Sequence, residues 1–316
     1  MIIGDILLML YNFFMIQVSD FYKSIFGCKV YKISLDAGCT CPNRDGTKGR
    51  GGCIFCSQSG SGDFIQKTKS IKQQFENGLS LVEKKAKGRS GKNEVLYLPY
   101  FQSFTSTYGD FTELKKKYIE SLSFYNSCGI AIATRPDCLS FEFIEFLKEI
   151  KEKHFIQIEL GLQTSNENTG KLINRCYTNK DYINAVKTLQ SQVPEAHIVT
   201  HVIFGLPGET EKDMLSTINF IKNSFNDGKE NFWGIKITNL YVVQNTVLEK
   251  MYKNKEFECL SKEKYFKIVQ KTLALLPENA IIHRITGDPP KKIAIAPEWA
   301  LNKRQILNEA KKLFLV

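Results

Sequence analysis

Cys41, Cys53 and Cys56 stand in the run Ala37-Gly38-Cys39-Thr40-Cys41-Pro42-Asn43-Arg44-Asp45-Gly46 and its continuation Gly51-Gly52-Cys53-Ile54-Phe55-Cys56. Three thiolates from one loop can hold three irons of a [4Fe–4S] cubane and leave the fourth iron open. An open iron can chelate the amino and carboxylate groups of S-adenosylmethionine (SAM) and pass one electron to the sulfonium, releasing a 5′-deoxyadenosyl radical. In such chemistry the cofactors perform the hard step, while the protein orients them and excludes quenchers. The spacing Cys-x11-Cys-x2-Cys admits a second reading, because Cys39 supplies a fourth thiol and four cysteines can hold a structural zinc.

Elements must position these groups, and the composition allows them. A chain of 316 residues, 43% hydrophobic, can bury a full core and fits one large α/β domain or a domain with a small extension. Its nine cysteines are an odd number, and only those near Cys41 are close in sequence. That pattern excludes a disulfide framework and places the chain in a reducing cytosol, with thiols kept for a metal. The formal net charge of +10, from 43 Lys plus Arg against 33 Asp plus Glu, suits a polyanionic partner and equally suits a lysine-rich composition. Residues Met1 to Val18 are apolar, but Asp5 and Asn12 interrupt them, no basic start precedes them, and they fall short of the roughly 20 residues of a membrane span. A buried or interfacial helix is expected there, with no stable membrane association.

The chain alternates strand and helix patterns. Val30 to Leu35, Val95 to Tyr100, Ile130 to Thr134, Phe155 to Leu162, His197 to Phe204 and Gly234 to Val243 read as strands. Amphipathic stretches lie between them at Ile71 to Lys87, Phe111 to Phe124, Phe141 to Lys153, Lys180 to Gln190 and Glu209 to Lys222. Six consecutive β/α units imply a parallel sheet, and six are too few for a full eight-stranded barrel, so an open, partial barrel is expected. The site then lies at the carboxyl ends of the strands, where the cysteine loop emerges directly from the first.

Later strand ends carry more polar and glycine residues than packing requires: Thr134-Arg135-Pro136-Asp137, Glu159-Leu160-Gly161-Leu162-Gln163-Thr164, and Gly205-Leu206-Pro207-Gly208-Glu209-Thr210. The last could be only a tight turn in which Thr210 starts a helix. Glu159 is different, because a carboxylate inside a buried strand costs several kcal/mol unless something compensates it. A ribose hydroxyl pair or an amino group would do so.

These segments, with His201 to Glu209 and Ile282-His283-Arg284-Ile285-Thr286-Gly287-Asp288, are collinear with a known pattern. From about Phe21 to near its end the chain resembles the small Elongator-like radical SAM family, the YhcC/YtqA or MnmL-like group. The resemblance implies a partial (β/α)6 radical SAM barrel with a C-terminal extension, divided as residues 1–25, an N-terminal helix or extension, 26–255, the barrel, and 256–316, a segment capping it. It implies Cys41, Cys53 and Cys56 as ligands of a [4Fe–4S] cluster, with Cys39 at a position not usually cysteine in the family. Phe55 would lie against the adenine region, and the segment Leu98 to Ser103, including Gln102 and Ser103, would meet the methionine amino group. Glu159 would hold the ribose or amino end, while Gln163, Arg135 and the turn from Gly205 to Glu209 would line the cofactor or substrate side. An ion pair with Asp137 is the competing role for Arg135.

The resemblance also implies a reaction. Kinship to the Elongator catalytic subunit points to the C5 position of wobble uridine in tRNA, and members of this smaller group are associated with trimming 5-carboxymethylaminomethyl-uridine, or its 2-thio form, to 5-aminomethyl-uridine. A reductant protein such as flavodoxin or ferredoxin would supply the electron, in the cytoplasm. Two departures bear on substrate choice. Asn174-Arg175-Cys176-Tyr177 stands where the family commonly has Asn-Arg-Gly-His, and Lys236-Ile237-Thr238-Asn239-Leu240-Tyr241 replaces a histidine pattern. Two other functions stay in view: a radical SAM enzyme acting on a small molecule or peptide, and a zinc-bearing RNA-binding module without catalysis. Beyond Leu260, His283, Arg284, Lys291, Lys292, Lys303 and Arg304 offer cations to RNA, although most such lysines line solvated faces. Cys128, Cys138, Cys176 and Cys259 lack ligand spacing and read as single buried thiols.

Overall fold

The computed structural model describes residues 16–60, 62, 65, 70–86, 95–225 and 231–314. The helix expected over the apolar N-terminal run lies largely outside these residues; what is described there is α1, Val18–Phe26.

Seven parallel strands form a half-barrel in sequence order: β1 (Lys29–Leu35), β2 (Val95–Phe101), β3 (Gly129–Thr134), β4 (Phe155–Gln163), β5 (His197–Phe204), β6 (Trp233–Asn239) and, at the far edge, β8 (Ala280–Arg284). Between β6 and β8 lies β7 (Val242–Val243), which pairs antiparallel with β9 (Ala294–Ala296) in a small separate ribbon. The expected strand from Gly234 to Val243 is therefore two elements, parted at Leu240 and Tyr241. Beyond the six expected β/α units, the segment after Leu260 contributes a strand to the sheet itself.

The period-two pattern sorts each strand into an outer and an inner face. On β1, Ile33 and Leu35 are buried toward the helices while Val30, Lys32 and Ser34 face the lumen. The helix layer comprises α2 (Ile71–Ala86), α3 (Phe111–Leu122), α4 (Phe141–Ile150), α5 (Glu167–Leu172), α6 (Asn179–Gln192), α7 (Glu211–Ser224) and, after α8 (Val247–Lys253), α9 (Lys262–Leu275). Its apolar faces and the outer strand residues, among them Phe101, Phe143, Ile158, Val186 and Ile218, make the main core. Helix starts follow the sequence: Thr178 and Thr210 each form a capping box, with Asp181 and Asp213, so Thr210 does begin its helix. At the chain's end stands α10 (Lys303–Phe314).

The N-terminal ends of the strands are plugged by α1. Phe21 and Tyr22 pack with Leu98, Ile281 and Val30, and the Ile282 amide donates to the Ile16 carbonyl at 2.9 Å. Residues 16–26 thus bridge the two edge strands β1 and β8, leaving the opposite, carboxyl end of the sheet as the mouth. No helix among the described residues is long and apolar enough to cross a membrane.

Candidate functional site

The cysteine loop leaves β1 at the mouth and folds back on itself. The Arg44 amide donates to the Cys41 carbonyl at 2.8 Å, Lys48 to Pro42 at 2.8 Å, Gly52 to Asn43 at 2.8 Å and Cys56 to Cys53 at 3.0 Å. Asn43 is fully buried, and its amide nitrogen reaches the Asn174 carbonyl and lies 3.7 Å from Cys53 Sγ. Asn174 returns the contact through Nδ2 to the Gly52 carbonyl at 2.8 Å. Ile54 anchors the far side of the loop in a second small core with Ile173, Leu206, Leu240 and Leu248. The loop is therefore clamped by the turn after α5 and by the C-terminal half of the chain.

Cys53 stands beside both Cys41 and Cys56. Burial pushes the Cys53 thiol up to about 12, with the neighbouring Cys56 and Cys41 charges adding to it and Arg135 opposing. Three thiolates there require a cation to hold them, which is what the irons of a cluster supply. Cys39 stands apart: it packs against the main core, burial pushes it up to about 11, and its charged neighbours are Lys117 and Asp36. Cys39 therefore does not share the environment of Cys53. Among the described residues no three His, Cys, Asp or Glu side chains converge on a single-ion site.

Arg135 closes the floor behind Cys41. Its Nε and Nη2 donate to the two Asp137 oxygens at 2.9 Å each, and Nη1 lies 3.9 Å from Cys41 Sγ while donating to the Arg175 carbonyl at 3.1 Å. The ion pair with Asp137, the competing role for Arg135, is present, and the guanidinium also stands beside Cys41. Burial would raise Asp137, but Arg135 and Lys48, whose Nζ is 2.5 Å away, outweigh it and hold the carboxyl below its ordinary range. Arg175 is fully buried and forks to the Leu162 carbonyl at 3.1 Å, the Thr164 carbonyl at 2.5 Å and Glu167 at 3.1 Å. Tyr177 lies between the two guanidinium groups, 4.7 Å from Arg135 and 4.8 Å from Arg175, and donates its hydroxyl to the Gly161 carbonyl. Cys176, where the resembled family commonly has glycine, carries φ +58°, a left-handed conformation that glycine adopts at no steric cost.

The remaining expected residues stand at or after the carboxyl ends of β1, β2, β4 and β5. Ser103 is fully buried with its hydroxyl unpaired among the described residues, as a group awaiting a polar ligand would be. Gln102 is half-buried, its amide donating to the Leu35 carbonyl at 3.3 Å. Gln163 has φ +69° at a register shift between β4 and β5, a bulge that re-aims its side chain. Gly205 has φ +88°, and a Cβ there would come within 3.0 Å of Leu260. Phe55 is half-buried against the second core, the packing role open to an aromatic at that position.

Glu159 is compensated from within the chain. Its Oε1 accepts from Lys32 Nζ at 2.7 Å and Gln157 Nε2 at 2.6 Å; its Oε2 meets His201 Nε2 at 2.7 Å, the Tyr100 hydroxyl and the Lys236 ammonium. Burial would raise its pKa, yet Lys236, Lys32 and His201 hold it well below the usual carboxylate range. The ribose pair or amino group that the sequence suggested as its partner is not needed for compensation. Lys32 and Arg175 carried no expectation of a role, and Tyr100 carried one only as part of the segment Leu98 to Ser103; for Lys32 the signal was a lysine at an inward position of a period-two strand.

Glu209 ends the glycine turn and accepts from the Thr164 hydroxyl. Burial raises its carboxyl to about 7, with the Asp213 charge adding and Thr164 and Thr169 opposing. The folded chain holds this proton more tightly than the unfolded chain, where the group titrates near 4.5, so its stabilising contribution is full below that value and lost as pH rises to about 7. Glu209→Gln is expected to flatten this decline, read from urea midpoints across that pH range.

Comparison with known proteins accounts for the arrangement. The Radical SAM superfamily profile matches residues 43–221, more than half of the chain, and the Radical_SAM C-terminal domain profile matches 232–314. YtqA of Bacillus subtilis is 38% identical over 288 residues, 91% of this chain and 85% of that protein. MJ0486 of Methanocaldococcus jannaschii is 32% identical over 302 residues, 94% and 88% of the two chains. A tRNA-2-methylthio-N(6)-dimethylallyladenosine synthase of Clostridium tetani is 31% identical over 151 residues, covering 46% of this chain and 32% of that enzyme. In fold, the archaeal Methanocaldococcus infernus Elp3 aligns with a TM-score of 0.61 at 16% identity, over 91% of this chain and 64% of that one, so the chain spans less than two thirds of it. The chain belongs to the radical SAM superfamily, in the group that includes YtqA and MJ0486, and its cofactors are a [4Fe–4S] cluster and SAM.

Proposed function

We propose that this radical SAM enzyme acts on the wobble uridine of tRNA, trimming 5-carboxymethylaminomethyl-uridine or its 2-thio form to the 5-aminomethyl product. The observation that carries the catalytic half of the reading is Cys53 standing beside both Cys41 and Cys56 at the strand mouth, with Cys39 outside the group. When bound, the cluster and SAM supply a carbon radical able to take hydrogen from an unactivated C–H bond, which the substrate arm offers and ordinary acid–base chemistry does not reach. The substrate half is supported by the net charge of +10, by partial identity to a tRNA-modifying synthase and by the likeness to Elp3.

The chain's own residues have separable tasks in this reading. Cys41, Cys53 and Cys56 hold the cluster, and Arg135 offsets thiolate charge at Cys41. Ser103 and Gln102 meet the amino end of SAM, Gln163 and the turn from Gly205 to Glu209 line the cofactor or substrate side, and Phe55 screens the adenine side. Glu159 fixes the two lysines beneath. A reduced flavodoxin or ferredoxin delivers the electron, residues 16–26 serve as the plug, and the segment 256–316 completes the sheet of the barrel with β8.

The test is anaerobic incubation of reconstituted protein with SAM, a reductant and tRNA from cells lacking the protein. The 5′-deoxyadenosine formed should rise with that tRNA and not with tRNA already trimmed. Turnover that is undiminished without RNA would assign the enzyme to a small molecule or peptide instead.

A further inference from the structure

The lumen beneath the mouth carries more positive charge than it neutralises. Lys32 from β1, Glu159 from β4, His201 from β5 and Lys236 from β6 all point inward at one level, with Tyr100 from β2. The register pairs Glu159 with Val199 and Lys236 with both His201 and Arg284, which is how residues so distant in sequence share a layer. Glu159 is the carboxylate that the ion pairs of this cluster share, set against two ammonium groups, and exposed Arg284 adds a third cation at the rim. His201 does not redress this, because burial and the nearby Lys236 push it down to about 4 and leave it neutral. The cost of the surplus is visible at Lys236, which burial, with Lys32 and Arg284 adding, pushes down to about 7 despite its contact with Glu159.

Donors remain for an incoming anion. Of the three protons on each ammonium, Lys32 directs one to Glu159, and Lys236 directs two, to Glu159 and to the Tyr100 hydroxyl at 3.2 Å. Both carboxylate oxygens of Glu159 are already taken, so Glu159 acts as the post to which the lysines are tied. The side chains of His201 and Lys32 are 27% and 20% exposed, so solvent and small groups reach this depth. The next inward positions toward the mouth are Ser34, Gly161 and Thr238, small and half-buried, and the larger Gln102 and Ile203, with the Gln163 side chain lying against Gly161.

We propose that Lys32 and Lys236, with Arg284 at the rim, form a seat for a carboxylate group of the substrate. The seat deepens the reading above, since the arm to be trimmed ends in a carboxylate and its product does not, and it rests on that reading for the identity of the group. An anion held at the lumen floor by two tethered ammonium groups places the adjoining carbons on the side of the lumen that leads to the cluster loop. It also supplies discrimination, because the trimmed product brings an amine to a cationic seat and is repelled.

The test uses [1-13C]acetate as the probe, titrated into the reconstituted protein without SAM or tRNA and followed by carbon line broadening. Saturable binding is expected for the wild type. Glu159→Gln should tighten it, since one competing negative charge is lost. The variant Lys32→Met/Lys236→Met/Glu159→Gln removes the buried charges together, so none is left alone in the lumen, and should weaken binding by at least about tenfold. A merely structural role for these residues would not give effects of opposite sign. Arg304→Met, on the exposed face of α10, should leave binding unchanged. Absence of saturable binding by the wild type, or equal binding by the triple variant while circular dichroism shows both folded, would overturn the seat. Lysine-dependent acetate binding by a protein whose deletion leaves tRNA unaltered would uphold the seat and discard the RNA reading alone.

Discussion

Cys53→Ala is expected to strip the protein of its cluster, taking anaerobically reconstituted iron and sulfide from about four per chain to background. Cys53 is flanked by both other thiols, so its loss opens a gap in the donor set that no described side chain fills. Cys41→Ala and Cys56→Ala should behave alike, and all three should abolish 5′-deoxyadenosine formation. Cys39→Ala supplies the contrast. Because its thiol faces Lys117 and Asp36 and packs on the main core, its removal should leave iron, sulfide and the visible spectrum of the cluster in place. Loss of metal on Cys39→Ala, with one zinc per chain in the wild type, would instead show a four-cysteine zinc site.

Arg175→Met should produce the largest loss of stability, about 3–5 kcal/mol, because it leaves buried acceptors unpaired. The guanidinium serves the carbonyls of Leu162, Thr164 and Tyr177 and the side chains of Glu167 and Asn179 while exposing none of its surface. Lysine cannot reproduce such a fork, so Arg175→Lys should be nearly as damaging. Much of the effect comes from the carbonyls and less from Glu167, whose side chain is 43% exposed and therefore screened. A drop in the urea midpoint with an unchanged slope is the expected signature. Since Asn174, the preceding residue, clamps Gly52 and receives Asn43, iron retention should fall along with stability.

What the sequence made legible was whatever depends on neighbours along the chain. The alternation in β1 and the Thr210 cap are local signals, and the elements they forecast are present at nearly the expected bounds. The strand β8 was missed because its run of five residues, Ala280 to Arg284, is short and its partner β6 lies more than forty residues earlier, so only tertiary pairing reveals it. The division of β6 from β7 escaped notice for a related reason: Leu240 and Tyr241 continue the apolar pattern while the chain leaves the sheet.

The charged lumen shows the same limit in the site. Glu159 was recognisable as a buried carboxylate in need of a partner, because that follows from one strand's composition. That the partners are Lys32, Tyr100, His201 and Lys236 follows from the parallel register across the six strands β1 to β6, which no local pattern encodes. Cys39 and Cys41, two residues apart, illustrate the converse, since closeness in sequence did not put their side chains in one environment.

Mass spectrometry of tRNA nucleosides from cells with and without this protein tests the central claim most directly. Deletion is predicted to accumulate 5-carboxymethylaminomethyl-uridine, or its 2-thio form, at the expense of the aminomethyl product and whatever is built on it. An identical wobble-uridine profile in the two strains would contradict the assignment of tRNA as the substrate.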